Sequence, residues 1–191
     1  MASPYAVRIL GDPVLRQRAS EVTEIDGRLA ALCQVMYRTM YEAQGAGLAA
    51  PQVGIQKRFM VYDLGAGDGP QVLINPVITE SGGECEFNEG CLSVPGLRFD
   101  ILRPSNVNVT GLNLEGAEVE FEADEFLARL MQHELDHLNG VLLIDHLDDN
   151  QRKVAKKALR LLAMNGSSAI EDSDPDSERN SKLKFGLFRS R

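Results

Sequence analysis

Two histidines one helical turn apart constrain the fold of this chain more than any other feature of its sequence. They stand in the string His133-Glu134-Leu135-Asp136-His137. At about 100° per residue, a helix puts both imidazoles on one stripe, with Glu134 and Asp136 on opposite sides of it. Two neutral imidazoles can hold a divalent cation, and Glu134 is then near enough to take a proton from water beside it. The string predicts a metal-binding helix with its own general base, and a supporting role for Asp136.

The residues around this string predict that the helix is buried. Apolar side chains cover most of its circumference: Phe126, Leu127, Leu130, Met131, Leu135 and Leu138. Buried polar side chains need partners, and a cation is such a partner. The alternative is a solvated helix whose histidines bind no metal, and the flanking pattern disfavours it.

A catalytic site of this kind needs a third protein ligand and one position open to water. Two downstream candidates fail. Position 143, where one class of zinc peptidase has a histidine, is Leu143, and residues 148–165 contain no glutamate. His146 follows the break at Gly140 and reads as a surface histidine. The third ligand is therefore expected upstream.

The chain has three cysteines, and Cys91 is the one best placed to be that ligand. Cys33 falls on the inner stripe of a helix, and Cys85 falls in a predicted loop. Cys91 lies in a Gly-, Asn- and Pro-rich stretch that reads as an exposed turn leaving a strand, and the adjacent Gly90 lets the backbone approach a bound group. The alternative for Cys91 is a small buried apolar residue.

Three motifs in this order resemble the signatures of the peptide deformylase family. They are Gly45-Ala46-Gly47-Leu48-Ala49-Ala50-Pro51-Gln52, Glu89-Gly90-Cys91-Leu92-Ser93 and Gln132-His133-Glu134-Leu135-Asp136-His137. The resemblance covers residues 5 to about 160. Taken alone, the first motif could be a phosphate-binding loop, but it lacks the third glycine of the dinucleotide fingerprint and no Lys-Ser/Thr pair follows.

The resemblance implies an enzyme that removes the formyl group from the N-terminal formylmethionine of new polypeptides and releases formate. Glu134 would shuttle the proton, while the Gln52 amide and the Leu92 backbone N–H would bind the oxyanion. Cys91, His133 and His137 would hold one divalent ion. The family implies Fe²⁺ in the cell, with Zn²⁺, Ni²⁺ or Co²⁺ as possible substitutes.

The same resemblance implies the substrate-binding residues. Phe87, Phe126 and Leu130 would line an apolar methionine pocket, while Ala46 and Gly47 backbone groups would hold the peptide.

Two arginines also have expected positions. Arg129 departs from a usually apolar position, and we expect its stem to pack while its guanidinium reaches solvent. Arg103 would pair with Asp136 and orient the metal-bearing helix, with a surface salt bridge as the alternative.

Two other functional classes stay open at this point. One is a metallopeptidase that cuts internal peptide bonds, which the missing downstream ligand disfavours. The other is a catalytically degenerate module whose metal is only structural, which would need a fourth protein ligand in place of water.

Composition and charge bound the remaining possibilities. A net charge of −8 argues against DNA or broad nucleic-acid binding. Three cysteines are too few for a disulfide framework, and we see no signal peptide and no bilayer-spanning apolar run. We expect a cytoplasmic monomer that acts on nascent formyl-methionyl peptides and does not bind membranes.

Periodicity predicts an α+β fold, with antiparallel sheets around the central buried metal-binding helix. Helices are expected from residue 29 to about 45, from Asp124 to Asn139-Gly140, and from about 149 to 165, the last with Val154, Ala158, Leu161 and Leu162 inward. Strands are expected at 58–63, at 72–79 with a bend or an edge position at Pro76, and as a hairpin over 107–121.

Residues 1–165 are predicted to form the catalytic domain and residues 166–191 a flexible tail. The tail is acidic and then basic. Its basic end could touch the ribosome surface, where deformylases meet their substrates.

Overall fold

The structure of the chain is a computed structural model that describes residues 5–165. Its α-helices are α1 (Gly27–Glu42), α2 (Glu125–Leu138) and α3 (Asp149–Asn165). Its strands are β1 (Gly47–Ala49), β2 (Phe59–Tyr62), β3 (Gln71–Gly82), β4 (Cys85–Cys91), β5 (Val94–Arg103), β6 (Asn106–Leu112) and β7 (Glu118–Asp124). All paired strands run antiparallel, as the predicted α+β class requires.

The chain divides into two compact units, residues 1–152 and residues 153–191. Of the second unit, the structure describes residues 153–165, which belong to α3. The domain boundary at 165 stays a prediction, and the tail proposed for 166–191 lies outside the described residues. Within residues 5–165, no helix is both long and apolar enough to cross a membrane.

Five strands form one sheet in the order β1-β2-β3-β6-β7, and a helix packs on each of its faces. Because side chains alternate along a strand, neighbouring residues contribute to different faces. Met60 on β2 packs in the cluster that contains the α2 residues Met131 and Leu135. Its neighbour Val61 packs in the cluster that contains Met36 of α1. The sheet therefore buries both helices.

Helix α2 begins and ends close to the predicted residues. Asp124 is its N-cap residue in extended conformation, although its side chain makes no capping hydrogen bond. The helix ends at Leu138 with Asn139 as C-cap, and Gly140 follows with φ +76°. A side chain at Gly140 would also meet the Arg16 carbonyl oxygen at 2.7 Å, so this turn favours glycine.

Strand β3 lies in the middle of the sheet, so the prediction of an edge position at Pro76 is wrong. The predicted irregularity is present, because the register with β6 shifts between Ile74 and Val77. Asn75 has φ +50°, and the Pro76 carbonyl accepts a hydrogen bond from Arg58 Nη2 at 2.9 Å. A proline without an N–H is tolerated in a central strand where a bulge interrupts the ladder.

A second, two-stranded sheet of β4 and β5 replaces the loop that we predicted around Cys85. The predicted turn leaving a strand is present at residues 92–93, but it is not exposed. Cys85 begins β4 rather than lying in a loop, and Cys91 ends it as a buried residue, 9% exposed. Three of the seven residues of β4 are Glu or Asn and a fourth is Gly90, so its composition does not resemble that of a strand. Pairing with β5 decides its conformation.

Helix α3 has the predicted bounds, but two of the residues that we expected to be buried are exposed. Val154 is 60% exposed and Leu161 is 51% exposed. Helical spacing can align apolar side chains on one stripe, but it does not supply a surface that covers them.

Candidate metal centre

Helix α2 and strand β4 bring the three predicted ligands together. His133 and His137 lie on one face of α2, and Cys91 reaches them from the end of β4. Their ligand atoms all lie within 4.8 Å of one another. Cys91 Sγ is 3.2 Å from His137 Nε2. Among residues 5–165, the group comprises these three side chains, with no fourth histidine, cysteine or carboxylate.

The chemistry of this donor set fits a divalent cation. Bond lengths of about 2.0–2.3 Å in a tetrahedral site imply ligand atoms roughly 3.3–3.8 Å apart, which is compatible with the observed cluster. Burial lowers the pKa of His137 to about 3, which keeps its ring in the neutral form that binds metals. Burial alone would also lower the pKa of His133, but contacts with Cys91 and Glu89 raise it to about 10. The pocket therefore favours positive charge beside the thiol, which a divalent ion held by these three side chains would supply.

Glu134 lies beside the ligands and is almost completely buried, with 3% of its surface exposed. Its Oε2 atom has no hydrogen-bond partner within the described residues. Burial raises the pKa of Glu134 to about 7, which suits a group that accepts and returns a proton near neutral pH. A Cβ atom on Gly47 would lie 2.6 Å from Glu134 Oε1, so only glycine leaves room for this carboxylate.

A chain of charged side chains connects the ligand His133 to the surface. Glu89 Oε2 contacts His133 Nδ1 at 3.0 Å, and Glu89 Oε1 accepts from Arg103 Nε at 2.7 Å. Arg103 Nη1 donates to Asp136 Oδ2 at 2.9 Å, and His146 Nε2 contacts the same oxygen at 2.8 Å. The expected Arg103–Asp136 pair is therefore present, with Arg103 only 5% exposed. With its Nδ1 engaged by Glu89, His133 has its Nε2 left for an ion.

Glu89 is the residue of this network to which our sequence reasoning gave no role. Its side chain is 2% exposed and accepts two hydrogen bonds from Arg103 as well as contacting His133. Strand alternation could have found it, because Phe87, Glu89 and Cys91 recur every second residue. His146 lies at the surface, as predicted, and its Nε2 is also bonded to Asp136, an interaction that the sequence did not indicate.

Gln52 lies fixed in the short 3-10 helix Ala50–Val53, with 1% of its surface exposed. Its Oε1 accepts from the Ala49 N–H at 2.8 Å, which orients the amide, and its Nε2 donates to Ser93 Oγ at 3.3 Å. An amide nitrogen has two hydrogens, so one can still point elsewhere. Leu92 follows Cys91 directly, and a side chain at Gly45 would meet its Cδ1 at 2.9 Å. The first and second motifs are therefore in contact.

The residues predicted to bind substrate fall into two groups. Gly47, next to Ala46, lies against Leu130 and Glu134, since its added Cβ would be 2.7 Å from Leu130 Cδ1. Phe87 and Phe126 line a pocket of about 550 Å³. On α2, residues 126, 130, 133 and 137 follow helical spacing and share one stripe, so the apolar side chains continue the line of the ligands.

Arg129 is partly exposed, and its guanidinium lies over two aromatic rings, a contact that we did not predict. Its Cζ atom is 4.5 Å from the Phe126 ring centre and 5.2 Å from that of Phe87. The two rings offer the cation a favourable π-face. Arg129 thus joins Phe87 and Phe126 into one wall.

Comparisons with known proteins agree with this geometry. The family model described as polypeptide deformylase matches residues 4–153. The chain is 54% identical to a peptide deformylase of Halothermothrix orenii over 73% of this chain and 90% of that protein. It is 48% identical to one of Thermotoga neapolitana over 83% of this chain and 96% of that protein.

Solved structures show the same similarity in three dimensions. A peptide deformylase from Synechococcus elongatus in complex with actinonin matches with a TM-score of 0.80 and 44% identity, over 85% of this chain and 89% of that chain. One from Thermus thermophilus matches with a TM-score of 0.77 and 39% identity, over 82% of this chain and 93% of that chain.

Proposed function

The chain belongs to the peptide deformylase family, and from this premise we propose how its own residues carry the family's reaction. The enzyme removes the formyl group from the N-terminal formylmethionine of new polypeptides by hydrolysis and releases formate. We propose Cys91, His133 and His137 as ligands of one divalent ion, with Glu134 as the proton-transferring group. The observation that carries this proposal is the convergence of three ligand atoms within 4.8 Å beside a buried carboxylate.

The proposed chemistry assigns each step to a side chain. A divalent ion held by the three ligands would make water more acidic and polarise the formyl oxygen. Glu134 accepts a proton from the attacking water, whose oxygen forms a bond with the formyl carbon. The carbon–nitrogen bond then breaks, Glu134 returns the proton to the departing amine, and formate and a free N-terminus result. The unpartnered Oε2 atom of Glu134 supports this role, because a buried carboxylate oxygen needs a donor.

The oxyanion that develops during the attack needs donors fixed in advance. We assign them to the Gln52 amide and the Leu92 backbone N–H. The bond that Gln52 accepts from Ala49 supports this assignment, because it fixes the amide plane before substrate binds. Fixed donors contribute more than mobile ones, since no reorganisation is needed when charge develops.

Substrate recognition is proposed to use the surface next to the ligands. Phe87, Phe126 and Leu130 would contact the methionine side chain. Phe126 and Leu130 share the α2 stripe with the two histidines, and Phe87 of β4 lines the same pocket as Phe126, which supports this. Among the residues that the structure describes, β1 pairs with β2 alone and is therefore an edge strand, the position at which an extended peptide would add to the sheet. Backbone groups of Ala46 and Gly47 would then pair with the substrate in the manner of an added strand.

Several finer assignments remain part of this proposal. We propose Fe²⁺ as the ion in the cell, because a thiolate with two imidazoles suits iron, and Zn²⁺, Ni²⁺ or Co²⁺ as substitutes. A monomer that works in the cytoplasm on nascent chains, with residues 166–191 near the ribosome surface, is our expectation. The family membership favours formyl removal over the internal-bond peptidase and the structural metal module.

Formate release from a formyl-methionyl peptide by anaerobically purified protein tests the function. We expect the wild type to release formate and leave a full-length peptide with a free amine. Glu134→Gln should retain one equivalent of metal and lose nearly all turnover. Glu122→Gln is the matched control, because it changes an exposed glutamate on β7 that does not line the pocket of Phe87 and Phe126. An active Glu134→Gln protein would refute the proton-transfer role.

A further inference from the structure

The network behind His133 ends at a histidine that none of the three motifs contains. His146 follows the 3-10 helix Leu143–Asp145, and its Nε2 is 2.8 Å from Asp136 Oδ2. The same oxygen accepts from Arg103 Nη1 at 2.9 Å. Two groups thus converge on one carboxylate oxygen, one from inside the protein and one from its surface.

From Asp136 inward, every link is short and buried. Arg103 is 5% exposed and donates to both oxygens of Glu89, with Nε to Oε1 at 2.7 Å and Nη2 to Oε2 at 3.2 Å. Glu89 in turn contacts His133 Nδ1 at 3.0 Å. Such outer contacts fix the rotation of a ligating imidazole and the nitrogen that carries its proton.

Asp136 is the less buried of the two carboxylates in this network. Its side chain is 22% exposed, whereas that of Glu89 is 2% exposed. A partly exposed carboxylate keeps several rotamers unless its oxygens are bonded. Arg103 alone supplies one bond to it, and His146 supplies the second on the solvent side. Asp136 also lies on α2 directly before His137, so any loss of order there acts on the helix that carries both ligands.

We propose that His146 is a positioning residue for the metal centre, which holds Asp136 so that Arg103 and Glu89 keep His133 in its ligating orientation. This inference rests on the proposed ligand set of Cys91, His133 and His137. It adds a residue outside the three motifs to the side chains that slow release of the ion. The hydrogen bond of His146 is made to Asp136 and not to one of the three proposed ligands.

The rate at which the protein releases Co²⁺ to a chelator in excess tests the proposal. We expect His146→Leu to release Co²⁺ about three- to tenfold faster than the wild type, at the low end of effects of groups that orient ligands. His146→Gln should restore most of the slow release, because its amide can donate to Asp136 from a similar distance. The unfolding midpoint of the metal-free proteins should stay close to that of the wild type.

Two further variants separate positioning from a general loosening of the segment. Arg16→Gln is the matched control, since Arg16 pairs with Asp145 in the same 3-10 helix but lies outside the network. It should leave Co²⁺ release unchanged. In an Asp136→Asn background, His146→Leu should add little, because the two residues act through one contact.

The outcomes also distinguish this proposal from the ligand assignment. If wild-type protein binds no stoichiometric Co²⁺, or if Cys91→Ser keeps the cobalt–thiolate absorption, the ligand set is wrong. If the wild type binds Co²⁺ through Cys91 but His146→Leu releases it at the wild-type rate, the role of His146 is refuted. Equal acceleration by His146→Gln and His146→Leu, or an undiminished effect in Asp136→Asn, also refutes it.

Discussion

Replacing Glu89 with glutamine should weaken both the fold and the metal site. Arg103 makes three hydrogen bonds to carboxylates, two of them to Glu89 at 2.7 and 3.2 Å and one to Asp136 at 2.9 Å. Glutamine keeps the shape of Glu89 but removes its charge, and it also turns one acceptor toward Arg103 into a donor. A buried guanidinium that loses its main partner costs about 3–5 kcal/mol.

The lower end of that range applies here, because Asp136 still accepts one bond from Arg103. We therefore expect Glu89→Gln to lower the free energy of unfolding of the metal-free protein by about 3 kcal/mol. The same change removes the carboxylate oxygen next to His133 Nδ1, which should reduce metal affinity by about ten- to a hundredfold. Urea unfolding followed by circular dichroism measures the first effect, and competition with a chelator of known affinity measures the second.

Glu86 provides the matched control, because it lies on the same strand but is exposed. Glu86→Gln should change the unfolding free energy by no more than about 0.5 kcal/mol. A double variant with Arg103→Met should lose less stability than the sum of the single changes, since each single change leaves the other charge unpaired. The free energy of unfolding of Glu89→Gln could instead lie within about 1 kcal/mol of the wild-type value, with unchanged metal affinity. In that case the buried network does not support the site as argued.

The remaining predictions concern packing and thiol reactivity. Gly47→Ala would put a Cβ atom 2.6 Å from Glu134 Oε1, so we expect a loss of about 1–3 kcal/mol in stability together with a large loss of formate release. Gly27→Ala, whose Cβ would meet nothing within 4 Å, should keep full activity, and an equally active Gly47→Ala would contradict the packing argument. Burial raises the pKa of Cys33 to about 11, so at pH 8 only about one thiol in a thousand is ionised. Iodoacetamide should therefore modify Cys85 in the folded protein and reach Cys33 only in urea; mass spectrometry that finds both modified at equal rates would refute the assigned burial.

Local spacing made the metal-binding helix predictable from sequence. The two histidines, Glu134 and the closing Asn139-Gly140 turn all follow from rules that act over a few residues. The first helix and the hairpin of β6 and β7 follow from equally local periodicity and turn signals. These elements lie where they were predicted. The apolar faces of the helices pack against the sheet to which the hairpin belongs.

Elements that depend on distant partners could not be predicted in the same way. The β4–β5 pair has few β-branched residues in β4, and its strand conformation depends on pairing such as Phe87 with Ile101. Pro76 was read as a sign of a bend or of an edge position. The irregularity is present, but the strand is central, and a bulge together with the bond from Arg58 accommodates the proline there. The exposure of Val154 likewise depends on whether another part of the protein covers it, and the periodicity of the helix does not contain that information.

The β4–β5 sheet also explains why the second motif joins a cysteine and a glutamate. A two-stranded sheet is marginal on its own and needs contacts with the rest of the protein. One face of β4 presents Glu89 and Cys91 to the histidines of α2, and the end of β5 presents Arg103 to Asp136. The side chains that attach this sheet to α2 therefore include the ones that would complete and orient the proposed ligand set. Because these contacts are polar and at least partly buried, displacement of the sheet would leave unpaired charges on both sides, so we expect the proposed metal site and a correctly docked β4–β5 sheet to require each other.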